Sequence, residues 1–100
     1  MEEDKLVEAL RSILKEGKDW ERKKTTVPGV FVLKLPAQKR SPESLAVELN
    51  PVDEFGNPKK RRGLVIRSYE ELKEFRELLN EEKLDKLLKA LDQVNPREVR

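Results

Sequence analysis

The chain reads as an α+β domain: a four-stranded antiparallel sheet with an N-terminal helix and a long or broken C-terminal helix packed on one face. Three observations predict it. Apolar residues recur at helical spacing near both ends, they alternate with period two through the middle, and Pro, Gly and Asn turn signals separate the middle runs. One hundred residues suffice for a single core, so residues 1–100 read as one domain, with no internal repeat.

Glu3 to Glu16 predicts the first helix, because Leu6, Val7, Leu10, Ile13 and Leu14 share one face, and Gly17 is placed for a C-cap. Asp19 to Val27 alternates weakly and is read as a first strand, closed by a Pro28-Gly29 turn. Val30 to Leu35 is the clearest strand, with Phe31, Leu33 and Leu35 expected inward and Val30, Val32 and Lys34 outward. Pro36 to Ser44 reads as an exposed loop. Leu45 to Leu49 then places Leu45, Val47 and Leu49 inward and Ala46 and Glu48 outward. Gly63 to Arg67 places Leu64 and Ile66 on one face and Val65 and Arg67 on the other.

Between these last two strands run Asp53, Gly56, Asn57 and Pro58, followed by Lys59-Lys60-Arg61-Arg62, so that Leu45 to Ser68 reads as a basic β-hairpin. Ser68 and Glu71 match a capping box that starts a helix with Leu72, Phe75 and Leu79 as its stripe and Leu78 at the edge. Asn80 interrupts or caps that helix. Glu81 to Val94 carries Leu84, Leu87, Leu91 and Val94 in the 3-4-3 spacing of a coiled-coil seam, widened by Leu88, and is read as an oligomerisation helix within the domain. Asn95-Pro96 ends it, and the last residues are expected to fray.

Composition narrows the function. The chain has no Cys and no His, which removes disulfides, the usual zinc sites and the side chains most easily tuned for acid–base work near neutral pH. Most carboxylates lie on predicted helical faces beside Lys or Arg, as in Glu82 with Lys86 and Asp85 with Lys89 at i,i+4, and read as solvated pairs. The four glycines are isolated, so neither a Walker loop nor a dinucleotide fingerprint is present. Asp53-Glu54 lacks the oxygen spacing of a calcium loop. The expectation is no enzyme, no cofactor and no metal. No apolar run approaches the ~20 residues that span a bilayer, and the acidic start lacks the features of a signal peptide, so a cytoplasmic protein without a membrane partner is expected. Abundant Lys, Glu and Arg with few Gln lean toward a heat-adapted source.

Charge distribution points to a partner. The net charge is only +2, but Lys18 to Arg67 holds 12 basic and 6 acidic residues while both flanking segments are mildly acidic. Cations that neutralise phosphate beside side chains that stack on unpaired bases are the two ingredients of single-strand binding. The outward parity, Val30, Val32, Lys34, Ala46, Val65 and Arg67 flanked by Trp20, Arg22 and Lys24, supplies both: it is a floor for bases, a surface for a second subunit, or both. Trp20 stands between a core and a stacking role, Phe55 and Tyr69 are similarly ambiguous, and DNA and RNA both remain open.

Two families share parts of this pattern. Asp53-x-x-Gly56-x-x-Lys59, then Arg62-Gly63-Leu64-Val65-Ile66 and an amphipathic helix, resembles the single-stranded-DNA-binding domain of the transcriptional coactivator p15, positive cofactor four, over about Val30 to Leu79. That likeness implies a transcription-associated adaptor as an alternative. The departures are the N-terminal helix, the added leucine-rich helix and the lack of a tryptophan after the hairpin. The whole layout, a helix leading into KDWERKK, then VPGVFVLKL, the basic hairpin and the leucine-rich helix, is similar to the archaeal ThermoDBP-related proteins. This resemblance implies sequence-tolerant single-stranded DNA binding and protection in a cleft, and a homo-oligomer, dimer or tetramer. Carried over by position, the walls would be Arg22, Lys24, Lys34, Lys59, Lys60, Arg61, Arg62 and Arg67, and the floor Trp20, Val30, Val32 and Val65.

Overall fold

The computed structural model describes residues 2–96. Helix α1 (Glu2–Glu16) precedes strands β1 (Arg22–Lys24), β2 (Val30–Leu35), β3 (Ser44–Leu49) and β4 (Leu64–Ile66), and helices α2 (Tyr69–Leu79) and α3 (Glu82–Val94) follow. The strands form one antiparallel sheet in the order β1-β2-β3-β4, so the class is α+β. The chain divides into two compact units at the end of the sheet, Met1–Ser68 and Tyr69–Arg100. The expected fraying of the last residues lies outside the described residues. Among the described residues, no helix is long and apolar enough to cross a membrane.

Local chemistry explains most boundaries. The β1–β2 turn carries Pro28 at its second position and Gly29, φ 92°, at its third, with Val30 N–H donating to Val27 C=O at 3.1 Å. That is the residue order of a type II turn, whose third position needs positive φ. β1 is shorter than Asp19 to Val27 because Trp20 leaves extended geometry at φ 66° and Thr25 turns its hydroxyl onto Val30 C=O at 2.7 Å. The C-terminal helix is broken rather than continuous. Asn80 closes α2 by donating to Arg76 C=O, and the Glu81 side chain caps α3 by accepting from Lys83 N–H.

Gly17 follows α1 but not as a left-handed cap, since positive φ among the described glycines occurs only at Gly29 and Gly56. Its N–H still closes the last turn of α1 on Ile13 C=O at 2.8 Å, and Lys34 holds the same end. This buried side chain donates from Nζ to the carbonyls of Leu14 and Gly17 and pairs with Glu43 at 3.3 Å. A cation at a helix C-terminus satisfies carbonyls that have no partner within the helix and opposes the negative end of its dipole.

The cross-strand register corrects the expected faces. Leu33 stands opposite Ala46, and Phe31 opposite Glu48, which in turn faces Val65. Phe31, Leu33, Leu35, Ala46, Glu48 and Val65 therefore share one face, with Val30, Val32, Lys34, Leu45, Val47, Leu49, Leu64 and Ile66 on the other. The alternation within each strand is as expected, but β3 and β4 lie the other way up relative to β2. Burial agrees with the register: Ala46 and Glu48 are buried, whereas Val47, expected inward, is 37% exposed. Both parities of these strands are largely apolar, so alternation alone cannot align them.

The buried hydrophobic set among the described residues is small: Phe31, Leu33, Leu35, Ala46 and Ile66, with Leu33, Leu35 and Ala46 in mutual contact and Val65 packed against them. Leu6 and Val7 of α1 are exposed, as are Leu87, Leu88, Leu91 and Val94 of the expected seam, while Leu84 is half-buried. Leu33→Ala should cost about 3 kcal/mol in urea denaturation, the usual loss for a core leucine, and Leu6→Ala about 0.5 kcal/mol or less.

Candidate nucleic-acid interface

The loop between β3 and β4 is tied by hydrogen bonds in two parts. Its first part closes on itself: Asp53 Oδ1 accepts from Phe55 N–H and Asn57 N–H, both at 2.9 Å, while Asp53 N–H reaches Asn57 C=O at 2.8 Å and Lys59 N–H reaches Pro51 C=O at 2.8 Å. Asp53 is thus occupied in shaping its own turn. Among the described residues no group of acidic side chains is arranged to hold a metal ion.

The second part, Lys60 to Gly63, is strapped to the sheet by side chains. Asn50 mimics a neighbouring strand, accepting from Lys60 N–H at 3.1 Å through Oδ1 and donating to Lys60 C=O at 2.8 Å through Nδ2. Arg22 Nη2 donates to Arg61 C=O at 3.0 Å. Gly63 N–H donates to Glu48 Oε2 at 2.7 Å. At Gly63 the backbone passes so close to β3 that a Cβ would lie 2.2 Å from Leu49 C=O, and only glycine fits.

Glu48 is the centre of this strapping. It is fully buried, yet its carboxylate takes Arg22 Nε at 2.5 Å and Arg22 Nη2 at 3.0 Å as a two-pronged pair, with Asn50 Nδ2 at 3.3 Å and Gly63 N–H besides. Burial pushes its carboxyl pKa up, but hydrogen bonds from Arg22, Gly63 and Asn50, with the Arg22 charge, outweigh that and leave it lowered. No buried side-chain nitrogen or oxygen among the described residues lacks a partner. Arg22, expected as a wall cation, is accordingly a strut; its guanidinium also lies 5.5 Å from the Phe31 ring centroid.

Trp20 stands at the open edge of this arrangement. Its backbone takes the left-handed conformation, φ 66°, the one non-glycine among the described residues to do so, and its N–H donates to Lys34 C=O at 2.7 Å. For a bulky side chain that conformation costs roughly 1–2 kcal/mol. Trp20 as a whole is 47% exposed, and the Arg62 guanidinium sits 4.5 Å from its ring centroid. An indole face with a guanidinium on it is a cation–π pair in partly wet surroundings. Lys59, Lys60, Arg61 and Arg62 are all exposed, and Arg62 is the member of this block placed on the indole.

The other expected site residues are dispersed. Val30 and Val32 lie on the opposite face from Val65, which packs against the Leu33–Leu35–Ala46 cluster, so the expected floor is not one surface. Lys34, expected on an open wall, is buried under α1. Lys24 is exposed and borders a shallow cavity of ≈ 160 Å³ with Val27, Val30, Phe31 and Val52. Arg67 is exposed just beyond β4. The structure thus brings Trp20 to Arg62 and Arg22 to the Arg61 carbonyl, and leaves the side chains of Val30, Val32 and Lys34 out. Glu48 and Asn50 are the members of the site that sequence reasoning misses. Their signal is nonetheless there: a carboxylate inside an apolar strand, a residue type that strands disfavour, followed by a loop of four cations.

Acid sensitivity follows from two carboxylates. Glu21 is also lowered, first by the Lys18 N–H, which donates to it at 3.0 Å, then by Lys23. Groups with lowered folded-state pKa stabilise the fold fully above their unfolded value, about 4.3 for Glu, and that stabilisation is lost as pH falls through the folded value. The melting temperature should therefore be flat from about pH 7 to about pH 5 and fall below about pH 4; circular dichroism melts across that range check it, and a rise on the acid side would contradict it.

No family model, curated protein or solved structure matches the chain.

Proposed function

We propose that this protein binds single-stranded nucleic acid, with single-stranded DNA as the target, at the surface formed by Trp20 and the Lys59–Arg62 loop. The observation that supports this reading best is the pairing of Arg62 with a half-exposed tryptophan held in a costly backbone conformation, beside three further exposed cations. Strained residues tend to persist where a site uses them. A base can stack on the indole while the loop cations neutralise adjacent phosphates, and such stacking needs an unpaired base but no particular one. Sequence-tolerant binding and protection of exposed strands is the activity this chemistry suits. Duplex recognition is less well served, because the cations sit on a loop and not along a helix that could enter a groove.

If about four phosphates are engaged, the log–log salt dependence of binding should have a slope near −3, from roughly −0.7 per single-strand phosphate. Titrating single-stranded and duplex oligonucleotides while following Trp20 fluorescence measures it; a duplex preference, or no binding at low salt, overturns the reading. A ribose oligonucleotide bound more tightly than its deoxyribose counterpart would move the target to RNA. Trp20→Gly separates function from folding. It relieves the left-handed strain while losing the Arg62 pairing, so stability should stay within about 0.5 kcal/mol while affinity, read by anisotropy of a labelled oligonucleotide because the chain's one tryptophan is gone, falls.

A second reading, an oligomeric or partner-binding adaptor, is favoured by the exposed apolar stripe of α3, Leu87, Leu88, Leu91 and Val94. Solvent contact of such a stripe is unfavourable, and pairing it with another helix removes the penalty. A dimer or tetramer should sediment as a smaller species after Leu87→Lys with Leu91→Lys. An unchanged sedimentation coefficient removes α3 as the assembly element.

A further inference from the structure

We propose that Glu48 is the positioning residue of the cationic loop: it holds Lys60 to Gly63 in the path that presents Lys60, Arg61 and Arg62 together beside Trp20, so that binding to a polyanion depends on a buried anion. The inference rests on the reading of this surface as a single-strand site. Each tie between the Lys60–Gly63 backbone and the sheet described above either ends on Glu48 or comes from a side chain bonded to it. Gly63 N–H ends on the carboxylate directly. Arg22, gripped by both carboxylate oxygens, passes to Arg61 C=O, and Asn50, bonded to Oε2, passes to Lys60 N–H and C=O.

The physical need for such a device is plain. Four consecutive cations repel one another, and in a free loop they would spread apart and have to be ordered again on every binding event. An apolar residue at position 48 would fill the space but would give Gly63 N–H no acceptor and Arg22 no orientation. The carboxylate also brings a geometric demand, because both its oxygens must be satisfied at once, and the observed loop path does so.

Plain electrostatics predicts the opposite sign, and this makes the inference testable. Removing an anion from beneath a phosphate-binding surface should strengthen binding if charge alone matters; if position matters, binding should weaken. Glu48→Gln and Asn50→Ala are to be compared with the wild-type chain by anisotropy of a labelled single-stranded oligothymidylate across salt concentrations, with amide hydrogen exchange at Lys60 and Gly63 read in parallel. The expected result for Glu48→Gln is binding about tenfold weaker, the scale set by reordering one or two long side chains. The salt slope should become shallower by about 0.7 for each phosphate that is no longer engaged, and the two amides should exchange faster while far-ultraviolet circular dichroism is unchanged. Weaker binding with slope and amide exchange both unchanged overturns the inference, because the loop has then not been released. Equal or tighter binding by Glu48→Gln also overturns it and leaves the single-strand reading standing. Should Glu48→Gln not fold, Asn50→Ala decides, since it frees Lys60 while Arg22 and Gly63 N–H still hold the Glu48 carboxylate; wild-type affinity in that variant overturns the inference. Absence of binding by the wild-type chain removes the single-strand reading, and this inference with it.

Discussion

The bidentate pair between Arg22 and the fully buried Glu48 is the contact on which the rest of the sheet's cationic edge depends. It joins β1 to β3 across the intervening β2, and through Arg61 C=O and Gly63 N–H it brings the β3–β4 loop down onto the same face. A buried ion pair is a poor source of net stability, because desolvation of both charges offsets most of their attraction, but losing one partner is expensive. Its structural value is therefore selective: it penalises every loop path that leaves the carboxylate unsatisfied. Here the carboxylate has four bonds from three residues, which is close to the capacity of its two oxygens.

Lys34 plays the corresponding role on the other face. Its buried ammonium donates to carbonyls at the end of α1 and pairs with the Glu43 carboxylate, so α1 is joined to the sheet by a polar tie. Lys34 and Glu48, of opposite sign and on opposite faces of adjacent strands, organise the sheet unit where its hydrophobic core is slight. Five buried apolar side chains among the described residues are few, and directional bonds do part of the orienting that a larger core would do by packing.

The cationic loop is held in place against the mutual repulsion of its own charges. Charge alone would favour a spread, mobile segment. Asn50, Arg22 and Glu48 convert it into a fixed edge, and Arg62 is left to lie on Trp20. The proposed site and local strain meet at that tryptophan, whose backbone sits where an unconstrained aromatic residue rarely would.

The order and type of the elements can be read from the chain itself, because helical and strand periodicities are local and Pro28-Gly29, Ser68 with Glu71, and Asn80 mark their limits. β2 and the last residues of β3 and α3 fall where apolar spacing places them. What periodicity cannot determine is which parity of β3 faces which parity of β2, since Val30, Val32, Ala46 and Val65 are as apolar as their neighbours and register depends on hydrogen bonding between segments distant in sequence. For the same reason Arg22 and Lys34 look like surface cations: a charged side chain declares its charge in the sequence but not its partner. By itself the sequence determined an α+β chain with a concentrated basic loop; only the tertiary structure decided that the loop is pinned through Glu48 and Asn50, because those bonds join residues 10 to 39 positions apart.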